Sequence, residues 1–137
     1  MRFFLLALAA LGFLSLQGAG YPPRDEKVIL IRVDEIGTIT DGMDTITTDE
    51  LSEYISKRLF KSYIGTGKMY ESIRIEKIHD GPMLEVMDII LKEIHLGQKK
   101  ALTDLSLHLY KQGFDSLKEN QQEKIRKKFP VLFQAVI

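Results

Sequence analysis

Three histidines, a few paired carboxylates and one glycine-flanked lysine are the residues here whose types invite a chemical reading. His79, His95 and His108 would be the imidazoles of a metal site. Zinc helices place two histidines at i and i+4 and add a further ligand. No two of these three are so spaced, and the chain has no cysteine to complete a set. His79 and His95 fall at the two ends of a predicted helix, about 24 Å apart at 1.5 Å rise per residue. His108 falls on the polar side of a predicted strand, so capping or solvated roles fit all three better. Glu85 and Asp88, one turn apart, would be a carboxylate pair for acid–base work, which also needs a pocket and a raised pKa. They flank an apolar stripe and read as its solvent-facing edge. Gly65-Thr66-Gly67-Lys68 has the flavour of a phosphate loop. It lacks the four-residue spacing and the hydroxyl after the lysine, and it follows a predicted helix instead of a strand, so it reads as a flexible connection. A small secreted enzyme would need a cleft lined by Glu76, His79 or Asp80. The sequence accordingly predicts no catalytic residue, no cofactor-binding residue, no metal site and no enzymatic activity.

The totals behind these residues are even-handed. The 137 residues carry 19 Lys plus Arg against 19 Asp plus Glu, which argues against a general nucleic-acid binder that must neutralise phosphates. A hydrophobic fraction of 45% is ordinary for one globular domain with a single core. The absence of cysteine excludes disulfide scaffolds and thiol catalysis.

The first twenty residues differ from the rest. Met1-Arg2 is a short basic start, Phe3 to Leu16 is an uncharged run of Leu, Ala and Phe, and Gln17-Gly18-Ala19-Gly20 supplies small residues. That is the pattern of a secretory signal peptide. The rival reading is an N-terminal anchor, because Phe3 to Tyr21 is free of acidic and basic side chains over a length close to the roughly 17–25 residues that span a bilayer. Cleavage after Gly20 would remove Arg2 and tip the neutral balance by one charge to the acidic side. The expected organisation is residues 1–20 as signal peptide or anchor, 21–27 as linker, 28–109 as an α+β domain, and 110–137 as a helical extension with an apolar tail.

Within the domain, Lys27 to Val33 is a β-branched run and reads as a strand. Gly37 to Thr40 reads as a short second strand closed by an Asp41-Gly42 turn. Thr47 and Glu50 form a capping box, and Leu51, Tyr54, Ile55 and Leu59 lie on one helical face behind it. That helix is expected to fade near Lys61. Ser72 to Ile78 is the next strand. His79-Asp80-Gly81-Pro82 opens a second helix, with Met83, Val86, Met87, Ile90, Leu91 and Ile94 at 3–4 spacing and Gly97 as its C-terminal cap. The Met83/Met87 pair reads as core filling in preference to a cofactor box. Leu105, Leu107 and Leu109 alternate with polar residues and predict another strand. Ser116 to Lys128 predicts a largely exposed third helix with Leu117, Ile125 and Phe129 as sparse apolar points, ended by Pro130. In it, Glu119 and Glu123 precede Lys124, Arg126, Lys127 and Lys128, which suits the helix dipole; contact with anionic lipid or a cell-wall polymer is the functional alternative. Val131 to Ile137 is apolar and fits either a last strand or a docked tail. The fold class is therefore a two-layer α+β sandwich, two helices on one face of a mixed four- to five-stranded sheet, in the order ββαβαβ plus a C-terminal helix.

These residues resemble the periplasmic domain of the ExbD/TolR family over about 80 positions. The matching segments are Gly37-Thr38-Ile39-Thr40-Asp41-Gly42, Ile46 to Leu51, Ile73-Arg74-Ile75-Glu76-Lys77, and Gly81-Pro82-Met83-Leu84-Glu85-Val86-Met87-Asp88, followed by a final strand at Ala101 to Leu107. The resemblance implies a non-enzymatic, typically dimeric domain outside the inner membrane that serves biopolymer or energy-coupled transport by binding proteins. Family members carry an aspartate in their membrane helix for proton passage, and such a carboxylate is expensive in lipid. No acidic residue lies between Phe3 and Tyr21, so no position here inherits that role.

The function expected from the sequence is thus an exported protein-interaction domain, periplasmic or secreted, pairing with itself or with another envelope protein through strand edges. Its alternative is an inner-membrane-anchored transport subunit whose domain lies outside the cytoplasm.

Overall fold

Val28–Val33 (β1) turns Ile29, Ile31 and Val33 to one side, where all three are buried, and leaves Val28, Leu30 and Arg32 on the other. A computed structural model describes residues 27–136, so the export or anchor reading of residues 1–20 lies outside the described residues. Ile39–Thr40 (β2) runs antiparallel to β1, and Thr45–Ile46 (β3) antiparallel to β2. The turn between them forms at the expected Asp41-Gly42, with Gly42 at φ 96° and the Asp41 carboxylate accepting the N–H groups of Met43 and Asp44 at 2.9 and 2.8 Å.

Thr48–Thr66 (α1) begins at the expected box, Thr47 N–H donating to Glu50 Oε2 at 3.5 Å. It runs past Lys61 and stops where Gly67 adopts φ 73° and donates to the Tyr63 carbonyl. Ser72–Lys77 (β4) then pairs parallel with β1, from Val28 opposite Ser72 to Val33 opposite Lys77. The sheet is four-stranded and mixed, in the order β3-β2-β1-β4.

Leu84–Tyr110 (α2) overturns two expectations. Gly97 does not cap this helix but sits in its interior, and the segment Leu105 to Leu109 is helical, as is Ala101 to Leu107 where the family resemblance implies a final strand. The reason is the longer period. Ile90, Ile94, Gln98, Ala101 and Leu105 continue one 3–4 stripe, and all are buried, whereas Leu107 and Leu109 fall off that stripe and remain 47% and 38% exposed. A short Leu alternation gives way to a stripe that buries several side chains, each worth about 1.5–3 kcal/mol. Gly97 is explained by contact: a Cβ there would stand 2.7 Å from both Ile55 Cβ and the Ser52 carbonyl oxygen. Gly97 thus marks a close approach of α1 and α2, beside the small buried Ser52 and Ser56. The helix also starts two residues later than Pro82, because Gly81 at φ 71° still belongs to the preceding turn, and Met83, left at the N-cap, is 68% exposed, so only Met87 of the expected pair fills the core.

Both helices lie on one sheet face. Leu51, Ile55 and Leu59 of α1 and Met87, Ile90 and Ile94 of α2 meet Ile29, Ile31, Val33 and Ile73 of the sheet in a single core. Glu119–Lys128 (α3) follows a short 3-10 turn at Phe114–Ser116 and ends at Phe129, before Pro130. The sparse apolar points of this region are anchors: Leu117, Ile125 and Phe129 are buried, as are Val131 and Leu132 of the 3-10 turn Pro130–Phe133. Of the two readings for the end of the chain, the docked tail is the one observed.

Candidate interaction site

Two helices cover one face of the sheet, which leaves the other face and two edges, the two-residue β3 and the six-residue β4. On the outer face, Val28 and Leu30 are half-buried beside Arg32, Arg74 and Glu76, and Arg32 Nε lies 3.5 Å from Glu76 Oε2. The longer edge is β4. Ser72 and Ile78 donate their N–H groups inward, to the carbonyls of Lys27 and Val33. By alternation, Ile73, Ile75 and Lys77 turn their peptide groups outward.

Ile73 is already engaged. Its N–H donates to Gln134 Oε1 at 3.0 Å, and its carbonyl accepts from Gln134 Nε2 at 3.1 Å. The carboxamide thus imitates one residue of a neighbouring strand. Gln134 is held in turn by Gln98, 1% exposed, whose Nε2 donates to the carbonyls of Val131 and Gln134 at 2.8 and 3.0 Å. The chain's end therefore closes the first outward position of β4 and leaves Ile75 to Lys77 beyond it.

A second feature lies where the strands begin. Arg58 of α1 sits between two rings, its Cζ 5.7 Å from the centre of Tyr54 and 5.6 Å from that of Tyr70. Its Nη1 is 4.0 Å from Asp41 Oδ2, to which the Tyr54 hydroxyl donates at 2.9 Å. Burial disfavours ionisation of Asp41. The N–H groups of Asp44 and Met43, the Tyr54 hydroxyl and the Arg58 charge outweigh it, so the carboxyl is held below its ordinary value. Burial first, then the bond to Asp41, pushes the Tyr54 hydroxyl far above the usual tyrosine range. Arg58 Nε is buried and has no hydrogen-bond partner among the described residues. A cleft of about 920 Å³ opens beside it, lined among others by Lys57, Lys61, Lys68, Tyr70 and Glu71. A smaller cleft of about 430 Å³, with Lys99 and Lys100 in its wall, lies between α1 and α2.

The residues singled out from the sequence do not converge. His79 is exposed on the turn after β4 at φ 56°, and His95 is exposed in the middle of α2 instead of closing it. His108 lies on the same helix, edge-on to the rings of Phe60 and Tyr63. Glu85 and Asp88 are exposed on α2, and neither cleft includes Glu76, His79 or Asp80. Among the described residues, no group of three or more His, Asp or Glu is placed to hold a metal ion, and no helix is long and apolar enough to cross a membrane. Gly65-Thr66-Gly67-Lys68 is the end of α1, its amides committed: Gly67 donates to Tyr63 and Lys68 to Thr66 Oγ1.

Gln98, Gln134 and Arg58 were missed from the sequence. Gln98 did leave a signal, as the one polar member of the stripe from Ile90 to Leu105. Arg58 left a weaker one, four residues after Tyr54 and between two lysines. Comparison of the chain with protein-family models, with curated proteins and with solved structures finds no match.

Proposed function

We propose that this chain is an exported, non-enzymatic interaction domain of the ExbD/TolR kind, which pairs with a second copy through β4. The observation that carries the reading is the longer of the two outer strands: Ile75 and Lys77 of β4 present peptide groups to the open side of a sheet whose helices cover only one face. Main-chain groups on such an edge accept another strand without requiring any particular side chain. The half-buried Val28 and Leu30 on the outer face continue the contact surface around that edge. The resemblance of Gly37 to Leu51 and Ile73 to Asp88 to segments of that family supports the same reading from the sequence side.

Sedimentation equilibrium on the full chain tests it. The expected outcome is a concentration-dependent dimer, converted to monomer by Lys77→Pro. Lys77 is exposed and its N–H points away from β1, so proline there removes an edge donor and no bond inside the sheet. A monomer at every concentration, or a dimer indifferent to Lys77→Pro with the urea midpoint unchanged, would refute the edge.

A further inference from the structure

The neutral total charge of the chain conceals a local excess. Five of the residues lining the larger cleft are cationic, Lys27, Lys57, Arg58, Lys61 and Lys68, against a single acid, Glu71. The clustering follows from the fold. Lys57 and Lys61 are one turn apart on α1, Lys68 follows the helix, and Tyr70 and Glu71 lead directly into β4. Lys57, Lys61 and Lys68 form no ion pair within 4 Å among the described residues, in contrast to Lys100 in the neighbouring cleft, which lies 3.0 Å from Glu53. Arg58 is fixed between Tyr54 and Tyr70, yet its buried Nε lacks an acceptor. Cationic side chains thus outnumber acidic ones around one concavity, and three of them, Lys57, Lys61 and Lys68, have no carboxylate within 4 Å among the described residues, an arrangement that favours an incoming anion.

We infer that this cleft binds a soluble ligand bearing two or more phosphate groups. The volume of about 920 Å³ exceeds what one phosphate fills, and its cationic lining comes from α1, from the segment after it and from Lys27. Lysine ammonium groups act on phosphate oxygens as point charges, and a guanidinium held rigid between rings adds directed donors at little further entropic cost. The C-terminal end of α1 opposes an anion, but its last carbonyls are occupied: Tyr63 accepts from Gly67, and Ser62 from the Thr66 hydroxyl at 2.7 Å. Recognition runs through side chains and uses none of the amides of Gly65 to Lys68. The site is independent of the Ile75–Lys77 edge, so dimerisation and ligand binding fail separately.

The test is calorimetric titration of the full chain with sodium tripolyphosphate, and with orthophosphate in parallel. Tripolyphosphate should bind one per chain, at least about tenfold more tightly than orthophosphate, and weaken as salt rises from about 50 to 200 mM. Lys61→Gln with Lys68→Gln, both exposed and outside the core, should weaken binding by about tenfold or more. Lys99→Gln with Lys100→Gln, in the wall of the other cleft, removes the same charge and should change affinity less than about twofold. No binding of tripolyphosphate overturns the proposal, and equal loss in the two double variants does so by reducing it to general charge attraction. Binding to anionic phospholipid vesicles that depends on Lys61 and Lys68, without tripolyphosphate binding, overturns it in favour of a membrane surface.

Discussion

Alanine in place of glycine should have opposite signs at two positions of this protein. Gly65 lies in the last turn of α1 with open space where a Cβ would be, so Gly65→Ala gains helix propensity and restricts the unfolded chain. A stabilisation of about 0.4–1 kcal/mol is expected. Gly97 gains the same preference, about 1 kcal/mol. Its new Cβ, however, would meet Ile55 Cβ and the Ser52 carbonyl oxygen at 2.7 Å, and Ile55 Cγ2 at 2.9 Å. Ordinary contacts lie near 3.5 Å, so the helices would have to part by roughly 0.8 Å. Neither a backbone oxygen nor a β-branched carbon can swing aside, and overpacking of this kind costs about 1–3 kcal/mol. Because α1 and α2 share most of the core, the upper half of that range applies, and Gly97→Ala should be destabilising by about 1–2 kcal/mol net. Thermal unfolding by circular dichroism, checked by urea titration, would show a fall of about 4 °C or more for Gly97→Ala and a rise for Gly65→Ala. A Gly97→Ala protein as stable as the parent would refute the close crossing and return Gly97 to the role of a helix end.

Two further outcomes follow from side chains in the sheet and its turn. Gln134→Ala should expose the Ile73 N–H and carbonyl at the edge, accelerating hydrogen exchange at Ile73 while Ser72 stays protected, with a stability loss of about 1–2 kcal/mol; unchanged exchange at Ile73 would contradict the clasp. Asp41→Asn bears on pH. The folded carboxyl ionises more readily than the unfolded one, so its contribution is complete at neutral pH and declines as the pH drops below about 4, through the folded value. The variant should be less stable than the parent at pH 7 by about 1–2 kcal/mol and should have a flatter acid limb. Parallel acid limbs in urea titrations would remove Asp41 from the network.

Much of the fold was legible because local signals and burial agreed. The β-branched run at Val28 to Val33, the Asp41-Gly42 turn and the Thr47 box each specify one conformation, and the core accepts all three. The misreading of α2 arose where local and long-range signals parted. Glycine in a helix is read as an end unless one knows that another helix packs where its Cβ would stand, and that is a tertiary fact. Leu105, Leu107 and Leu109 satisfy a strand period over five residues, and only the stripe inherited from Ile90 and Ile94 excludes it. The interaction features were less legible. The Gln134 clasp joins residues 61 positions apart, and the basic cleft gathers Lys57, Arg58 and Lys61 of α1 with Lys68 and the distant Lys27 just before β1.

The Gln134 carboxamide has a thermodynamic consequence. A partner strand that extends along β4 as far as Ile73 must evict it, so edge occupancy and tail docking compete for one pair of peptide groups. Competition of this kind is reciprocal: whatever the tail's docking subtracts from a partner's affinity, the bound partner subtracts from the tail's hold on the core. The last residues of the chain are then a built-in competitor, and trimming or modifying them would set how readily the edge is shared.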